Sequence, residues 1–485
     1  MINHVEHLFT VVKKENKSRL SRSGPLSRRR FVQAVGTAGV ASLAGCYGDD
    51  DSGIEILANQ NIVQNLDVAA FYEAGVSEAI DIRITAGPED TDSRAEQFVT
   101  LLDAQQESPE ILVMDNGWTI PFIARESIVN LESELDSSFV DEVRAESFDM
   151  LVETGSHPDT GELWALPFFP DFPTMHYRKD LFREAGYSDS EFDRWSTDPP
   201  SWETWTAAVA EVHEQSDVSY GYVWQADSYP GLSCCTFNEL MTTYGGAYFG
   251  GLDTLFGPVG DRPVTVEEPP VIEALRVGRD MVHGTSEASQ EITQCSPNVV
   301  FSWGEQETDG AFVGDADAVA MRNWSYTIGM AQEQFDDDQE LGVMPIPYGV
   351  PEDEATYDGL GGTAAALGGW LVGANPNATD MESTLEVLRA FHSEAVQTAQ
   401  LDGPGLLPHQ PDLVDRVAGE HPAFGEYTEP LQIAGDTSVA RPVTPVWSQQ
   451  SQQAHQEIND ALQGRKRPEE AMSDLATAFT DLEEF

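Results

Sequence analysis

Asp115 closes a short apolar run, Pro109-Glu110-Ile111-Leu112-Val113-Met114-Asp115, and Asn116-Gly117-Trp118 follow at once. A carboxylate, an amide and a flat indole therefore sit together at what reads as the carboxyl end of a buried strand. Further on, Gly368-Gly369 precede Trp370, and bare glycine backbone lets a ligand come close to the chain. Carboxylates and amides hydrogen-bond hydroxyl groups, while an indole covers an apolar face of C–H groups. Bonds accepted by a carboxylate are charge-assisted and stronger than neutral ones. Such groups suit an uncharged, polyhydroxylated ring, and they grip without breaking bonds. The sequence has no Gly-x-Ser-x-Gly elbow, no His-Glu-x-x-His, no phosphate-cradling loop and no dinucleotide fingerprint. Gly359-Leu360-Gly361-Gly362 lacks the strand–turn–helix setting that phosphate needs and reads as a loop.

The elements that must carry these residues alternate. Ile54–Ala58 reads as a strand, Ile62–Ala74 as a helix, Ile80–Thr85 as a strand, Arg94–Gln105 as a helix and Pro109–Asp115 as a strand. The order βαβαβ predicts an α/β protein with an open, mostly parallel sheet, in which ligands meet the carboxyl ends of strands. Trp164–Pro173 is too rich in proline for a helix and reads as a crossing between lobes. Leu341–Pro347 and Gly368–Pro376 read as two more crossings, and Ser201 as the N-cap of a helix starting at Trp202. Three crossings make both lobes discontinuous, which favours a hinged pair. The expected division gives 54–171 and 343–373 to an N-lobe, and 172–342 and 374–485 to a C-lobe.

Composition narrows the partners. The chain has 485 residues, 26 basic against 83 acidic, and a net charge of −57. Such a body repels nucleic acid and anionic lipid. Its acids are spread throughout and only five residues are Lys. Their repulsion becomes tolerable when the Debye length falls to about 3 Å near molar salt, so the composition is that expected of a halophilic archaeon. Residues 1–45 read as an address: Ser27-Arg28-Arg29-Arg30-Phe31-Val32-Gln33 resembles a twin-arginine export signal, and Leu43-Ala44-Gly45-Cys46 resembles a lipobox whose Cys46 takes the lipid. Residues 46–53, with Asp49-Asp50-Asp51, read as an acidic tether. Of Cys234, Cys235 and Cys295, a bridge from 234 or 235 to 295 is one expectation and buried free thiols the other. No histidine stands at ligand spacing from Cys234-Cys235, so neither a metal there nor any cofactor is expected.

Several stretches now carry a family resemblance in the right order: Glu110–Asp115; Gly161-Glu162-Leu163-Trp164-Ala165-Leu166-Pro167; His176–Gly186 with Pro200-Ser201-Trp202-Glu203; Ala320-Met321-Arg322-Asn323-Trp324-Ser325-Tyr326; Gly342–Pro347; and Ala440-Arg441-Pro442-Val443-Thr444-Pro445, followed by Leu462-Gln463-Gly464 and Pro468–Ala471. Residues 54–485 resemble the extracellular solute-binding proteins of ABC-type sugar importers. Arg322-Asn323-Trp324 and Gly368-Gly369-Trp370 are most similar to the trehalose/maltose-binding branch. The resemblance implies a two-lobe, periplasmic-binding-protein-like fold (type II) with a multi-segment hinge, no enzymatic activity, and a monomer. It implies a membrane permease as partner, and a place on the outer face of the cytoplasmic membrane. It implies sugar contacts from Asp115, Trp118, Asp171, Tyr177, Asn238 or Glu239, and Arg441, with Trp324 and Trp370, reached past Gly369, as stacking platforms. That branch tends to place an acid after the first strand, where this chain has Asn59-Gln60-Asn61-Ile62. The alternatives are a lipid-anchored glycosidase, which needs only two carboxylates, and a receptor for another neutral solute such as an oligosaccharide or polyol.

Overall fold

The computed structural model describes residues 53–88, 91–335, 341–356, 360–442 and 444–484. The export motif, the lipobox with Cys46 and residues 47–52 of the tether lie outside the described residues. Gly53, the last tether residue, already pairs with Asp81 in a sheet.

Four strands open the first lobe: β1 (Gly53–Ala58), β2 (Asp81–Ala86), β3 (Ile111–Asp115) and β4 (Leu166–Asp171). Phe172 then takes the chain straight into the second lobe, with β5 (Pro173–Arg178), β6 (Tyr220–Val223), β7 (Ala318–Trp324) and β8 (Leu341–Met344). It returns through β9 (Ala365–Ala366) and Leu367 into β10 (Gly368–Ala374). A short strand, β11 (Ser438–Val439), pairs in parallel with β9. The first sheet has the order β2-β1-β3-β10-β4, and the second β6-β7-β5-β8. The pairs β1–β2 and β1–β3 are parallel, as the βαβαβ pattern requires. β10 runs antiparallel between β3 and β4 because it enters from the other lobe.

Local chemistry explains the elements. β3 is apolar on both faces because helices cover both sides of the sheet, and only Asp115 at its end is partly open. The helix Trp202–Gln215 starts where expected, with Ser201 Oγ accepting from the Thr204 amide at 3.3 Å. The expected helix 62–74 is instead two short ones, Gln60–Asn65 and Ala69–Glu73. The Asn59 side chain caps the first by accepting from Ile62 N at 2.9 Å.

The expected lobe boundaries shift. β8 is an edge strand of the second sheet, paired with β5, so Leu341–Met344 belongs to the C-lobe and is no crossing. Gly368–Ala374 is a central strand of the N-lobe. The helices Met381–Ala390 and Glu394–Asp402 also belong there, since Leu385, Leu388, Phe391 and Val396 share a core with Ile54, Ile56 and Phe71. Pro345 and Pro347, just past the strand, made this stretch read as a crossing, and nothing local marks which lobe an amphipathic helix will join. The last helices, Trp447–Leu462 and Pro468–Glu483, pack into the C-lobe core with Trp205 and Trp224.

Cys234 and Cys235 bond to each other, and Cys295 is free and buried. The expected bridge to Cys295 is therefore absent; burial pushes the Cys295 thiol up.

The C-terminal helix is held by a buried ion pair. The Arg262 guanidinium donates to Glu483 Oε1 at 2.7 Å, to the Leu255 carbonyl at 2.7 Å and to Gln450 Oε1 at 3.3 Å. Its side chain has no exposed surface. Glu483→Ala would leave that cation buried and unpaired, at a cost of about 3–5 kcal/mol. Denaturant unfolding in molar salt should show this loss; a loss under about 1 kcal/mol would show that water repairs the site.

Candidate functional site

The carboxyl ends of β3 and β4, the start of β10, the end of β7 and the segment after β11 converge where the lobes meet. Asp115 Oδ1 accepts from Gly117 N at 2.6 Å, which turns the chain out of β3. The same oxygen lies 3.2 Å from Arg441 Nη1, and Arg441 Nη2 donates to Asn116 Oδ1 at 3.0 Å. A Cβ on Gly117 would stand 2.1 Å from that guanidinium, so the close approach requires glycine. Arg441 and Asp115 thus form a partly buried pair.

Trp118 and Trp370 are half-buried neighbours, their rings perpendicular with centroids 6.4 Å apart. Phe98 and Phe122 back Trp118, at 5.5 and 5.4 Å. The Arg94 guanidinium lies 4.4 Å over the Trp370 ring, and Phe169 lies near parallel at 6.4 Å. Trp370 as an open platform is therefore corrected: Arg94 holds one of its faces, with Phe169 and Trp118 also against the ring, and the residue stays half-buried. The Trp118 Nε1 and Arg441 Nε hydrogens are buried without a partner. Gly369 has φ 128°, and a Cβ there would meet the Phe169 carbonyl at 2.6 Å. The glycine serves the strand's fit against β4.

Trp324 ends β7 with 9 % of its surface exposed. It spans the junction: a Cβ on Gly368 of the N-lobe strand would stand 2.5 Å from its ring. The Arg322 guanidinium lies 4.5 Å over it, and it packs with the Cys234–Cys235 disulfide, Ala366 and Tyr326. Its faces are largely used, so the expectation of an open platform is corrected here too.

Three further expected residues lie elsewhere. Tyr177 is 1 % exposed, packed among Phe182, Phe192, Trp195 and Trp205 inside the C-lobe. It is a core residue, since the side chain of a strand residue near a crossing can face either way. Asn238 and Glu239 sit on the helix Phe237–Thr243 and are both buried. Asn238 Nδ2 donates to the Ala440 carbonyl at 3.4 Å. Glu239 takes a two-pronged bond from Arg322 and accepts from Ala366 N at 3.2 Å. Both tie the C-lobe to the connecting strands.

Asp171 ends β4 and accepts from Ser325 Oγ at 2.6 Å, across the lobe junction. Burial pushes its carboxyl up to about 7, against the pull of Ser325 and Arg322. Beside it stands a group that sequence reasoning missed. Asp309 accepts from Asn323 Nδ2 at 2.6 Å and from Tyr326 Oη at 2.9 Å, and Glu305 accepts from Tyr229 Oη at 2.7 Å. Burial, with Glu305 and Asp171 nearby, pushes Asp309 up to about 7 as well. The stretch Asn323–Tyr326 was a signal; two acids on a short helix among 83 were none.

Both shifts lie above the value of about 3.9 for an unfolded Asp. Between about pH 4 and 7 the folded chain keeps protons that the unfolded chain has released, so these groups make stability fall as pH rises through that window. Asp171→Asn should flatten the fall. Thermal unfolding of both proteins across this range in molar salt reads the difference, and equal slopes would contradict the assignment.

The chain matches the family described as bacterial extracellular solute-binding protein over residues 65–397. A curated relative from Deinococcus radiodurans, a "Probable ABC transporter-binding protein", is 24% identical over 382 residues, covering 76% of this chain and 78% of the relative. Among solved structures, the maltose-bound MalE3 of T. maritima has a TM-score of 0.69 at 21% identity, covering 89% of this chain and 99% of its own. The GacH receptor of Streptomyces glaucescens, solved unliganded and with acarbose, has a TM-score of 0.66 at 18% identity, covering 90% and 99%. These likenesses agree with the two-sheet, two-lobe α/β architecture, a periplasmic-binding-protein-like fold whose discontinuous lobes share a multi-segment hinge. The protein belongs to the bacterial extracellular solute-binding protein family.

Proposed function

We propose that the chain captures a neutral sugar of about disaccharide size, such as trehalose or maltose, between its lobes and hands it to an ABC-type permease. The observation that carries this reading is the meeting of Asp115, Asp171, Asp309 and Arg441 with the indoles of Trp118 and Trp370 at the lobe junction. Carboxylates and the Arg441 guanidinium suit hydroxyls, and indole faces and edges suit C–H groups. The net charge of −57 disfavours an anionic cargo. The maltose- and acarbose-bound relatives share the fold, which supports the reading by analogy alone.

In this mechanism the sugar engages one lobe, and closing the hinge brings up the second. The sugar is released intact. Export by the twin-arginine route, a lipid on Cys46, residence on the outer face of the membrane and a monomeric state complete the proposal. Among the described residues, no helix is long and apolar enough to cross a membrane.

Calorimetry of the chain in molar salt against maltose, trehalose, sucrose and glucose tests it. At least one disaccharide should bind near micromolar, about 8 kcal/mol. Trp118→Ala should weaken that binding about tenfold or more, about 1.4 kcal/mol, without loss of helical signal. Silence toward every sugar, or conversion of any of them into smaller sugars, would overturn the reading.

A further inference from the structure

The strongest unassigned cluster lies on the N-lobe, and none of its residues is among those at the lobe junction. Glu142 and Glu146 stand one turn apart on the helix Ser137–Glu146, so both face the same way. His392 follows the helix Met381–Ala390. One ligand atom from each of these three side chains lies within 4.8 Å of the others. We propose that Glu142, Glu146 and His392 form a binding site for a single divalent transition-metal ion of the zinc class.

The histidine is what separates this place from the many acids of the surface. It is 6% exposed, and its ring is oriented by a chain of bonds running inward. His409 Nδ1 lies 3.0 Å from the Phe168 carbonyl oxygen, which can only accept, so that nitrogen carries the hydrogen. His409 Nε2 is therefore the acceptor, and it lies 3.0 Å from His392 Nδ1. The hydrogen of His392 is thus on Nδ1, and Nε2, left as the acceptor, lies 3.5 Å from Glu146 Oε2. A buried imidazole whose inner N–H is engaged and whose outer nitrogen meets a carboxylate is the arrangement by which proteins present histidine to a metal. The Gln410 amide nitrogen donates to these same acceptors, at 3.0 Å to His392 Nε2 and 3.2 Å to Glu146 Oε2. An ion bound there takes the place of the Gln410 amide on these acceptors.

Electrostatics argue the same way. Two carboxylates four residues apart on a helix repel each other. Glu146 ends that helix, where the backbone dipole is negative. A divalent cation offsets both, and two carboxylates match its charge. Two oxygens and one imidazole nitrogen form a set that zinc accepts, leaving a position for water, whereas calcium and magnesium prefer oxygen alone. Both glutamates are exposed, so the ion enters from solvent. Once bound, it would tie the helix Ser137–Glu146 to the turn at His392, two segments far apart in sequence.

The test uses the full chain, stripped with chelator and titrated with Zn2+ and Co2+ in molar sodium chloride. Expected are one equivalent of tight zinc, a cobalt spectrum showing nitrogen ligation, and a rise in unfolding temperature on loading. The double variant Glu142→Gln/Glu146→Gln should lose at least about tenfold in zinc affinity while the metal-free chain unfolds at an unchanged or higher temperature. His392→Gln should remove the nitrogen signature. Sugar heats should be the same in all variants, so failure here would leave the sugar-binding proposal standing. Unchanged zinc affinity in the double variant, equal competition by magnesium or calcium, or no stoichiometric binding would overturn the site.

Discussion

One buried guanidinium organises the junction. Arg322, on β7, has 1 % of its surface exposed. It binds both oxygens of Glu239, donates to Gln225 Oε1 at 3.1 Å and lies over the Trp324 ring. Burial works against its charge, and Glu239 more than offsets that, so the cation persists. Through Glu239 it reaches Ala366 N in β9, one of the connecting strands. A single charge thus fixes the helix Phe237–Thr243, the end of β6, the indole at the junction and the route back to the N-lobe. Removing either partner of such a pair leaves the other buried and alone, which is why so much depends on it.

Around this fixed point the connection between lobes is thin. Phe172 and Leu367 are single residues between strands of different sheets. The junction itself mixes contacts: Ser325 binds Asp171 and Trp324 lies against the bare backbone of Gly368, while Phe148, Leu151 and Leu401 share an apolar cluster with Met321, Leu341 and Val343 of the second sheet. Single-residue strand connections are what a hinge needs, since few backbone torsions then absorb the motion. The acidic surface adds repulsion that salt screens.

Much of this was legible in the sequence. β1, β2 and β3 declared themselves through alternation or unbroken apolar runs, and Asp115 through its place at the end of one. The tertiary choices were not legible. Leu341–Pro347 reads as a crossing because of Pro345 and Pro347, yet its first four residues, Leu341–Met344, form an edge strand that ends before those prolines. Tyr177 and Trp118 are both aromatics beside chain crossings or strand ends, and only the strand's facing sends one into a core and the other to the junction. Glu239 looks like a helix-surface acid until Arg322, distant in sequence, closes on it. Asp309 gains its meaning from Tyr326 and Asn323 alone. The disulfide within Cys234-Cys235 went unread because adjacent cysteines pair only when the local backbone permits.

The central claim is that one sugar is gripped by both lobes at once. Small-angle scattering of the chain in molar salt, with and without a saturating disaccharide found by calorimetry, tests it most directly. Binding should shrink the radius of gyration as the lobes close, and Asp171→Asn with Arg441→Ala should reduce that change. Scattering curves that superimpose while the sugar is bound would contradict a two-lobe grip.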